Sequence, residues 1–344
     1  MPILPGPRLS PAVQLLHHPV AIGPFTARGN LFLAPVAGYS DAAYRAICRA
    51  EGADLCYTEM VSSEGLTRGH EKTNSLLERD ASESEYAIQI FGAKPEVMAE
   101  AARALAPWKP ALIDVNCGCP VPKIVKSGAG SALMLEPAKI GKIVEAMRRA
   151  LDATGMASVP VTVKFRLGWD ESSINYLEVA KIAEDGGAAA LTLHARTRAQ
   201  GYSGKADWHA LTNLSASTRL PVFGSGDAFS SIEARRMLEE TGVSGVMIAR
   251  GAMGNPFVFS ETLALLEGEV GQPPTRSRRI EVARRHLELS AHFIGERQAC
   301  LEFRKHFCAY TKGEAGGASL RAEAVRATSI EEFGLLFRRW AEFA

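Results

Sequence analysis

The stretch VPVTVKFRLGWD, residues 159–170, is a β-branched run that ends in a glycine turn and holds a lysine, Lys164, among apolar neighbours. Val159 through Arg166 reads as a strand. An ammonium inside an apolar strand needs an anionic or polar partner, because burying a lone charge is costly. The strand is therefore expected to run into a functional site. Runs of the same kind recur on both sides of it: LFLAP (31–35), DLCYTEM (54–60), YAIQIF (86–91), ALIDVN (111–116), ALTLHAR (190–196), LPVFGSG (220–226) and GVMIAR (245–250). Between them lie helical patterns such as PEVMAEAARALA, AKIGKIVEAMRRAL, INYLEVAKIAEDGG and SSIEARRMLEETG. Pro95 stands at the start of the first, and Gly186-Gly187 close the third.

Strands alternating with helices in this way predict an α/β chain folded as a (β/α)8 TIM barrel. A doubly wound sheet would need a glycine-rich dinucleotide loop after its first strand, which APVAGYSD does not supply. The strand pattern stops after residue 256. TRSRRIEVARRHLELSAHFIG (275–295), CLEFRKHFCAYTKG (300–313) and EEFGLLFRRWAEF (331–343) read as amphipathic helices, and EGEVGQPPTR (267–276) as a linker. The expected division is a catalytic barrel over 1–256, with an N-terminal extension over 1–24, and a C-terminal helical domain over 257–344.

Hydrophobic residues make up 47% of the 344 and charged residues 22%, the balance of a globular chain with a sizeable core. No apolar run approaches the roughly 20 residues that span a bilayer. The first twenty residues lack both the basic start and the continuous apolar core of a secretion signal. A cytoplasmic location without membrane contact is expected. Six cysteines in a chain of this length do not make a disulfide framework. Cys48, Cys56, Cys300 and Cys308 read as buried thiols. The CxC of DVNCGCPVPK (114–123) has no second Cys/His pair to complete a metal site, so no metal is expected. Charge is segregated: residues 271–344 carry 13 Lys/Arg against 9 Asp/Glu, whereas the chain as a whole carries 39 against 38. That balance fits either ordinary solvated helix faces or a basic module that meets a polyanion.

In a barrel of this kind, chemistry gathers at the C-terminal ends of the strands. Polar residues stand at those ends: Gln89, Asn116, Lys164 with Arg166, His194 with Arg196, Asp227 after Ser225, and Arg250. GSGD (224–227) and ARGAMGNP (249–256) put small residues and an arginine where barrels commonly hold phosphate, with free backbone N–H groups as the cradle. A phosphorylated cofactor is expected across the barrel mouth, its ring facing Lys164 and Gln89.

The ordered motifs LAPVAGYSDAAYR, QIFG, DVNCGCPVPK with the later KSGAGSALM, VTVKFRLGWD, LHART, GSGD and MIARGAMGNP resemble those of the tRNA-dihydrouridine synthases. EFRKH (302–306) is similar to part of the C-terminal helical domain in the bacterial B subgroup. The resemblance covers about residues 20–312. It implies an FMN-dependent barrel that reduces uridine in tRNA to dihydrouridine, with NADPH or NADH as reductant. Carried over residue by residue, it implies flavin contacts at Pro35, Val36, Ala37, Gln89, Lys164 and His194. The phosphate loops fall on Ser225, Gly226, Asp227, Ala249 and Arg250, the catalytic cysteine on Cys119, and the contacts to the uracil on Asn116 and Arg166. Val36, Ser225 and Ala249 depart from the family pattern, which usually has methionine, asparagine and glycine there. Cys117 is expected to be a passenger.

Reduction of the uracil C5=C6 bond needs a hydride at C6 and a proton at C5. A thiol serves as the acid if it stays protonated, so Cys119 should not sit in a thiolate-stabilising pocket. Lys164 would stabilise the charge of a reduced flavin. The target base must leave its stack to reach the barrel mouth. Arg284, Arg285, Arg304 and Lys305 of the basic helices are the expected contacts to tRNA phosphates. The chain is expected to act as a monomer. Two other readings stand beside this one: an FMN barrel acting on a small molecule, as a dihydroorotate dehydrogenase or an ene-reductase does, and a non-catalytic RNA-binding barrel. Retention on a tRNA column separates the first, and a yellow preparation bleached by NADPH separates the second.

Overall fold

The computed structural model describes residues 16–343; residues 1–15, most of the expected N-terminal extension, lie outside the described residues. All eight expected strands are present: β1 Leu31–Leu33, β2 Leu55–Cys56, β3 Ala87–Phe91, β4 Leu112–Cys117, β5 Val161–Arg166, β6 Leu191–His194, β7 Val222–Ser225 and β8 Gly245–Ile248. They pair in parallel in the order β2-β1-β8-β7-β6-β5-β4-β3, and the short strand Val61–Ser62 adds to the free edge of β3. A parallel bridge from Tyr57 to Ala87 closes the ring, with the Thr58 N–H donating to the Ala87 carbonyl at 2.9 Å. The result is the barrel that the alternation predicts.

Period-two alternation divides each strand cleanly. Ile113, Val115 and Cys117 of β4, and Val161, Val163 and Phe165 of β5, face the surrounding helices. Leu112, Asp114 and Asn116, and Thr162, Lys164 and Arg166, are the alternate positions and fall on the inner face. The inner face is apolar at its lower end, where Phe32 and Phe223 meet edge to face at 4.7 Å between ring centres. A hairpin that the sequence reading did not anticipate, Val20–Ile22 with Phe25–Ala27 about a Gly23-Pro24 turn, packs into this same lower cluster.

Helices α1 Ala42–Ala50, α2 Pro95–Ala104, α3 Pro137–Asp152, α4 Tyr176–Asp185, α5 Trp208–Ser217, α6 Ser231–Thr241 and α7 Val258–Leu266 surround the strands. The expected start and stop are visible. Pro95 occupies the first turn of α2, and Gly186 caps α4 with Gly187 following at φ 94°; Gly242 likewise ends α6 in the left-handed conformation at φ 68°. After a coil over 267–275 come α8 Arg276–Ile294, α9 Glu296–Tyr310, α10 Gly317–Ala324 and α11 Ile330–Glu342. Helix α10 is absent from the sequence reading, which passed over its glycine-led and weakly patterned segment.

The helical unit docks on one side of the barrel mouth. Gly254, in the loop after β8, meets the backbone at Ala309–Tyr310 so closely that an added Cβ would come within 2.3 Å of it. The Tyr44 hydroxyl of α1 donates to the Ala252 carbonyl, and its ring stacks on His286 of α8. Arg278 of α8 bonds Glu51 at 2.7 Å. His286 and His306 lie 4.4 Å apart, ring centre to ring centre, and both are fully buried.

Candidate active site

A cavity of about 450 Å³ opens at the C-terminal ends of the strands, within the range of small-molecule and cofactor sites. Of the strand-end and loop residues singled out above as functional, all but Arg196 line it: Pro35, Val36, Ala37, Gln89, Asn116, Cys119, Lys164, Arg166, His194, Ser225, Gly226, Asp227, Ala249 and Arg250. The polar ends of the inner strand faces converge because the register aligns them. Gln89 sits beside Asp114, Asp114 beside Thr162, and Asn116 beside Lys164.

The floor is a fixed hydrogen-bond network. Asp114, fully buried, accepts from Gln89 Nε2 at 2.7 Å and from Thr162 Oγ1 at 2.6 Å. Asn116 Nδ2 donates to Gln89 Oε1 at 2.7 Å, and Asn116 Oδ1 accepts the N–H groups of Gly118 and Cys119 at 3.1 and 2.9 Å. Asn116 is thus engaged within the protein on both polar atoms. Burial pushes the Asp114 carboxyl up to about 6. Burial, followed by the neighbouring Arg166 charge, pulls Lys164 down to about 8, with Asp114 opposing that shift. Asp114 is the anionic partner that the lysine in β5 called for. Both carboxylate oxygens of Asp114 accept a donor, which favours its ionised form.

One end of the cavity is built as an anion cradle. The backbone N–H groups of Gly226, Asp227, Arg250 and Gly251 have no acceptor among the described residues. Gly226 has φ 120°, and an added Cβ at Gly251 would lie 2.3 Å from the Ala228 carbonyl, so the loops after β7 and β8 touch backbone to backbone. Asp227 holds this corner: Arg196 Nη2 donates to both its carboxylate oxygens at 2.7 and 2.8 Å, and the Ala206 N–H donates to Oδ2 at 2.7 Å. The Arg250 guanidinium is gripped between the Tyr202 and Phe229 rings, 4.8 and 4.9 Å from their centres. Burial, reinforced by Arg166, Lys164, Arg196 and Arg250, drives His194 well below its ordinary value and leaves it neutral.

Cys119 stands in the turn after β4, partly exposed to the cavity, with its carbonyl held by the Ser131 N–H and hydroxyl, both at 3.0 Å. Gly130, at φ 61°, leaves room for it: a Cβ there would lie 2.7 Å from the Cys119 carbonyl. The KSGAG segment is therefore the backing of the cysteine turn. Burial raises the Cys119 thiol above its ordinary value, with Arg166 only partly opposing the shift, so the thiol stays protonated at neutral pH. Cys117 is fully buried in the helix-facing layer. Arg166 braces the same turn, donating from Nε to the Gly118 carbonyl at 2.8 Å and from Nη1 to those of Thr197 and Gly201 at 2.9 Å each.

The basic candidates of the helical unit lie apart from the cavity. Arg284 and Arg285 are exposed on α8, Arg284 over the Phe337 ring. Arg304 is turned inward and donates from Nε and Nη2 to the Ala327 carbonyl at 3.0 and 2.8 Å. Lys305 pairs with Glu302 and reaches over Tyr39 beside Gly38, next to the Pro35–Ala37 turn. Sequence reasoning passed over Asp114, Met60, Tyr202 and Phe229. Asp114 carried a usable signal, since an acid within ALIDVN is as anomalous as a lysine within VTVKFR. The loop residues Tyr202 and Phe229 carried none without the fold.

The chain matches the family model "Dihydrouridine synthase (Dus)" over residues 32–339. It is 47% identical over 328 residues to a probable tRNA-dihydrouridine synthase of Treponema pallidum, covering 94% of this chain and 96% of that protein. It is 37% identical over 311 residues to tRNA-dihydrouridine synthase B of Xanthomonas campestris pv. campestris, covering 90% and 92%. Among solved structures it resembles 2-naphthoyl-CoA reductase (TM-score 0.59, 12% identity, 74% of this chain and 52% of that one) and histamine dehydrogenase from Rhizobium sp. 4-9 (TM-score 0.55, 15% identity, 80% and 51%). At those identities the likeness speaks to the barrel alone. With a model spanning barrel and helices alike, and relatives matched along nearly their whole length, the chain belongs to the dihydrouridine synthase family.

Proposed function

We propose that this protein is a tRNA-dihydrouridine synthase that reduces the C5=C6 bond of uridines in tRNA, with FMN as cofactor and NADPH or NADH as reductant. The observation that carries this reading is the arrangement of one cavity: an ammonium on its floor with no hydrogen-bond acceptor among the described residues, an anion cradle at one end, and a protonated thiol in its wall. The residues fit a flavin mononucleotide. Gly226, Asp227, Gly251 and Arg250 would hold its phosphate, Pro35, Val36 and Ala37 one side of its ring, and Gln89 and Lys164 the polar edge. Val36, Ser225 and Ala249 line the same wall as their neighbours and leave the cradle intact. Bound there, the reduced flavin supplies a hydride to C6 of the base.

The chain's own groups do the rest. Lys164 places a positive charge where negative charge develops on reduction. Cys119 delivers its Sγ proton to C5. Arg166 Nη2, left over after the bonds of Nε and Nη1 to three carbonyls, would be available to the base. Neutral His194 donates or accepts without adding charge. Arg284, Arg285 and Lys305 would contact the tRNA backbone from the helical unit. The packing of α7 on α6 favours a catalytic unit that runs through Leu266 and a tRNA-binding unit that begins at α8. The enzyme acts in the cytoplasm as a monomer, without a metal.

The purified protein should be yellow and release FMN on denaturation. NADPH should bleach it, and unmodified tRNA should restore the colour under anaerobic conditions. Protein that lacks flavin bands and takes up no added FMN refutes the proposal. Flavin reoxidised by orotate or an enone but not by tRNA would favour the small-molecule barrel instead.

A further inference from the structure

The network beneath the cavity has a direction. Its two ends are fixed by chemistry: the N–H groups of Gly118 and Cys119 only donate, and an ionised Asp114 carboxylate only accepts. Between them stand two amides, each with one accepting and one donating end. Because Asp114 accepts, Gln89 must turn its NH2 toward it and its oxygen toward Asn116. Asn116 must then give its NH2 to Gln89, which leaves its oxygen to the Gly118 and Cys119 N–H groups. Reversing either amide would set a donor against a donor at one end or the other. The carboxylate is also pinned from its far side by Thr162 Oγ1 at 2.6 Å.

Resting on the reading of Cys119 as the proton donor, we infer that Asp114 is a positioning residue for that thiol, acting through Gln89 and Asn116 as a polarity relay. It sits one strand position pair below Asn116, touches neither the turn nor the cavity, and is fully buried. It holds the turn by dictating which way two amides point. The same arrangement orients Gln89 in the cavity wall, so the relay sets the flavin-facing amide and the thiol-bearing turn together.

Asp114→Leu and Asp114→Asn discriminate this role from one of charge or of packing. In Asp114→Asn the new amide oxygen takes the Gln89 NH2 and the new NH2 turns to Thr162 Oγ1, which has lone pairs to accept it. Polarity is kept and charge is lost. In Asp114→Leu nothing orients Gln89. Holoenzyme labelled with 15N-cysteine reports amide exchange at Cys119, with Cys117 in the β4 ladder as a reference in the same spectrum. Asp114→Leu should accelerate Cys119 exchange by about tenfold, as expected for losing one net hydrogen bond, while Cys117 changes little. Asp114→Asn should stay within about threefold of wild type, equivalent to about 0.6 kcal/mol. Reoxidation of the reduced flavin by tRNA should fall in the same order.

Equal acceleration in both variants overturns the relay in favour of a charge effect, and unchanged exchange in Asp114→Leu overturns it outright. If Asp114→Leu yields no holoenzyme, Asp114→Asn with Thr162→Val unlocks the new amide, and Cys119 exchange must then rise above that of Asp114→Asn. Exchange in the expected order with reoxidation unaffected would support the relay and refute Cys119 as the acid, so the two readings fail separately.

Discussion

Exchanging each thiol of the NCGCP turn for a methyl group separates the acid from the passenger. Cys117 and Cys119 are two residues apart, yet one lies in the helix-facing layer at the end of β4 and the other in the cavity wall. Cys117→Ala removes one buried sulfur from a packed layer, which costs about 1 kcal/mol of stability and leaves chemistry untouched. Cys119→Ala removes the proton source. Loss of a positioned general acid slows its step by on the order of 10²–10⁴-fold, equivalent to about 3–5 kcal/mol of barrier. Anaerobic stopped-flow resolves the two half-reactions. Reduction of the flavin by NADPH should proceed in both variants, and reoxidation by tRNA should collapse only in Cys119→Ala. The protonation state adds a second check. The active form is the thiol, and burial raises it above its ordinary value of 9.0. The thiol's contribution to wild-type reoxidation should therefore hold level through neutral pH and be lost only above that value, apart from any limb near 8 that Lys164 sets. A collapse in Cys117→Ala, or loss of flavin from both variants, would refute the assignment.

The basic side chains of the helical unit should divide by their hydrogen bonding. Arg284→Ala, Arg285→Ala and Lys305→Ala should each weaken tRNA binding and flatten its salt dependence, lowering the slope of log K against log salt by roughly 0.9 per phosphate contact. Arg304→Ala should also lower the thermal midpoint, because it strips the Ala327 carbonyl of two donors, and filter binding with calorimetry reads both. The junction of the two units should loosen in acid. Burial draws His286 down to about 3 from its ordinary 6.5, and His306 well below 6.5. Below pH 6.5 the unfolded chain binds protons that the folded one cannot, so stability is full above 6.5 and declines as pH falls toward 3. The pair should cost about 3 kcal/mol by pH 5.5. Urea melts from pH 7.5 to 5.5 check it, and His286→Gln should shallow the decline; a flat profile would sink the argument.

The barrel was legible because a short apolar run is a local property, and each of eight runs carried it independently between helical patterns. The hairpin Val20–Ile22 with Phe25–Ala27 escaped because it stands outside the strand–helix alternation, and helix α10 because eight residues opening on Gly317 are too few for periodicity to accumulate. The cavity residues were legible as a set, since polar groups at strand ends stand out against apolar runs. Their partners were not. Nothing local in EFRKH tells Arg304, folded back onto Ala327, from Lys305, reaching over Tyr39. That difference is decided by which face of α9 meets α10 and which meets the barrel.

Asn116 shows the limit most clearly. An asparagine at a strand end invites a ligand, and it lines the cavity, but three-dimensional neighbours consume both of its polar atoms. What the strand pattern did contain was a pair of anomalies one strand apart, Asp114 in ALIDVN and Lys164 in VTVKFR. Taken singly, each is a charge in the wrong place. Read with the register that sets Asp114 beside Thr162 and Asn116 beside Lys164, the aspartate is the fixed sign around which the neutral amides of the site must orient, and the lysine is the charge left to the cavity. The lysine's charge points toward the cavity chemistry, and the aspartate's toward the scaffold that aims it.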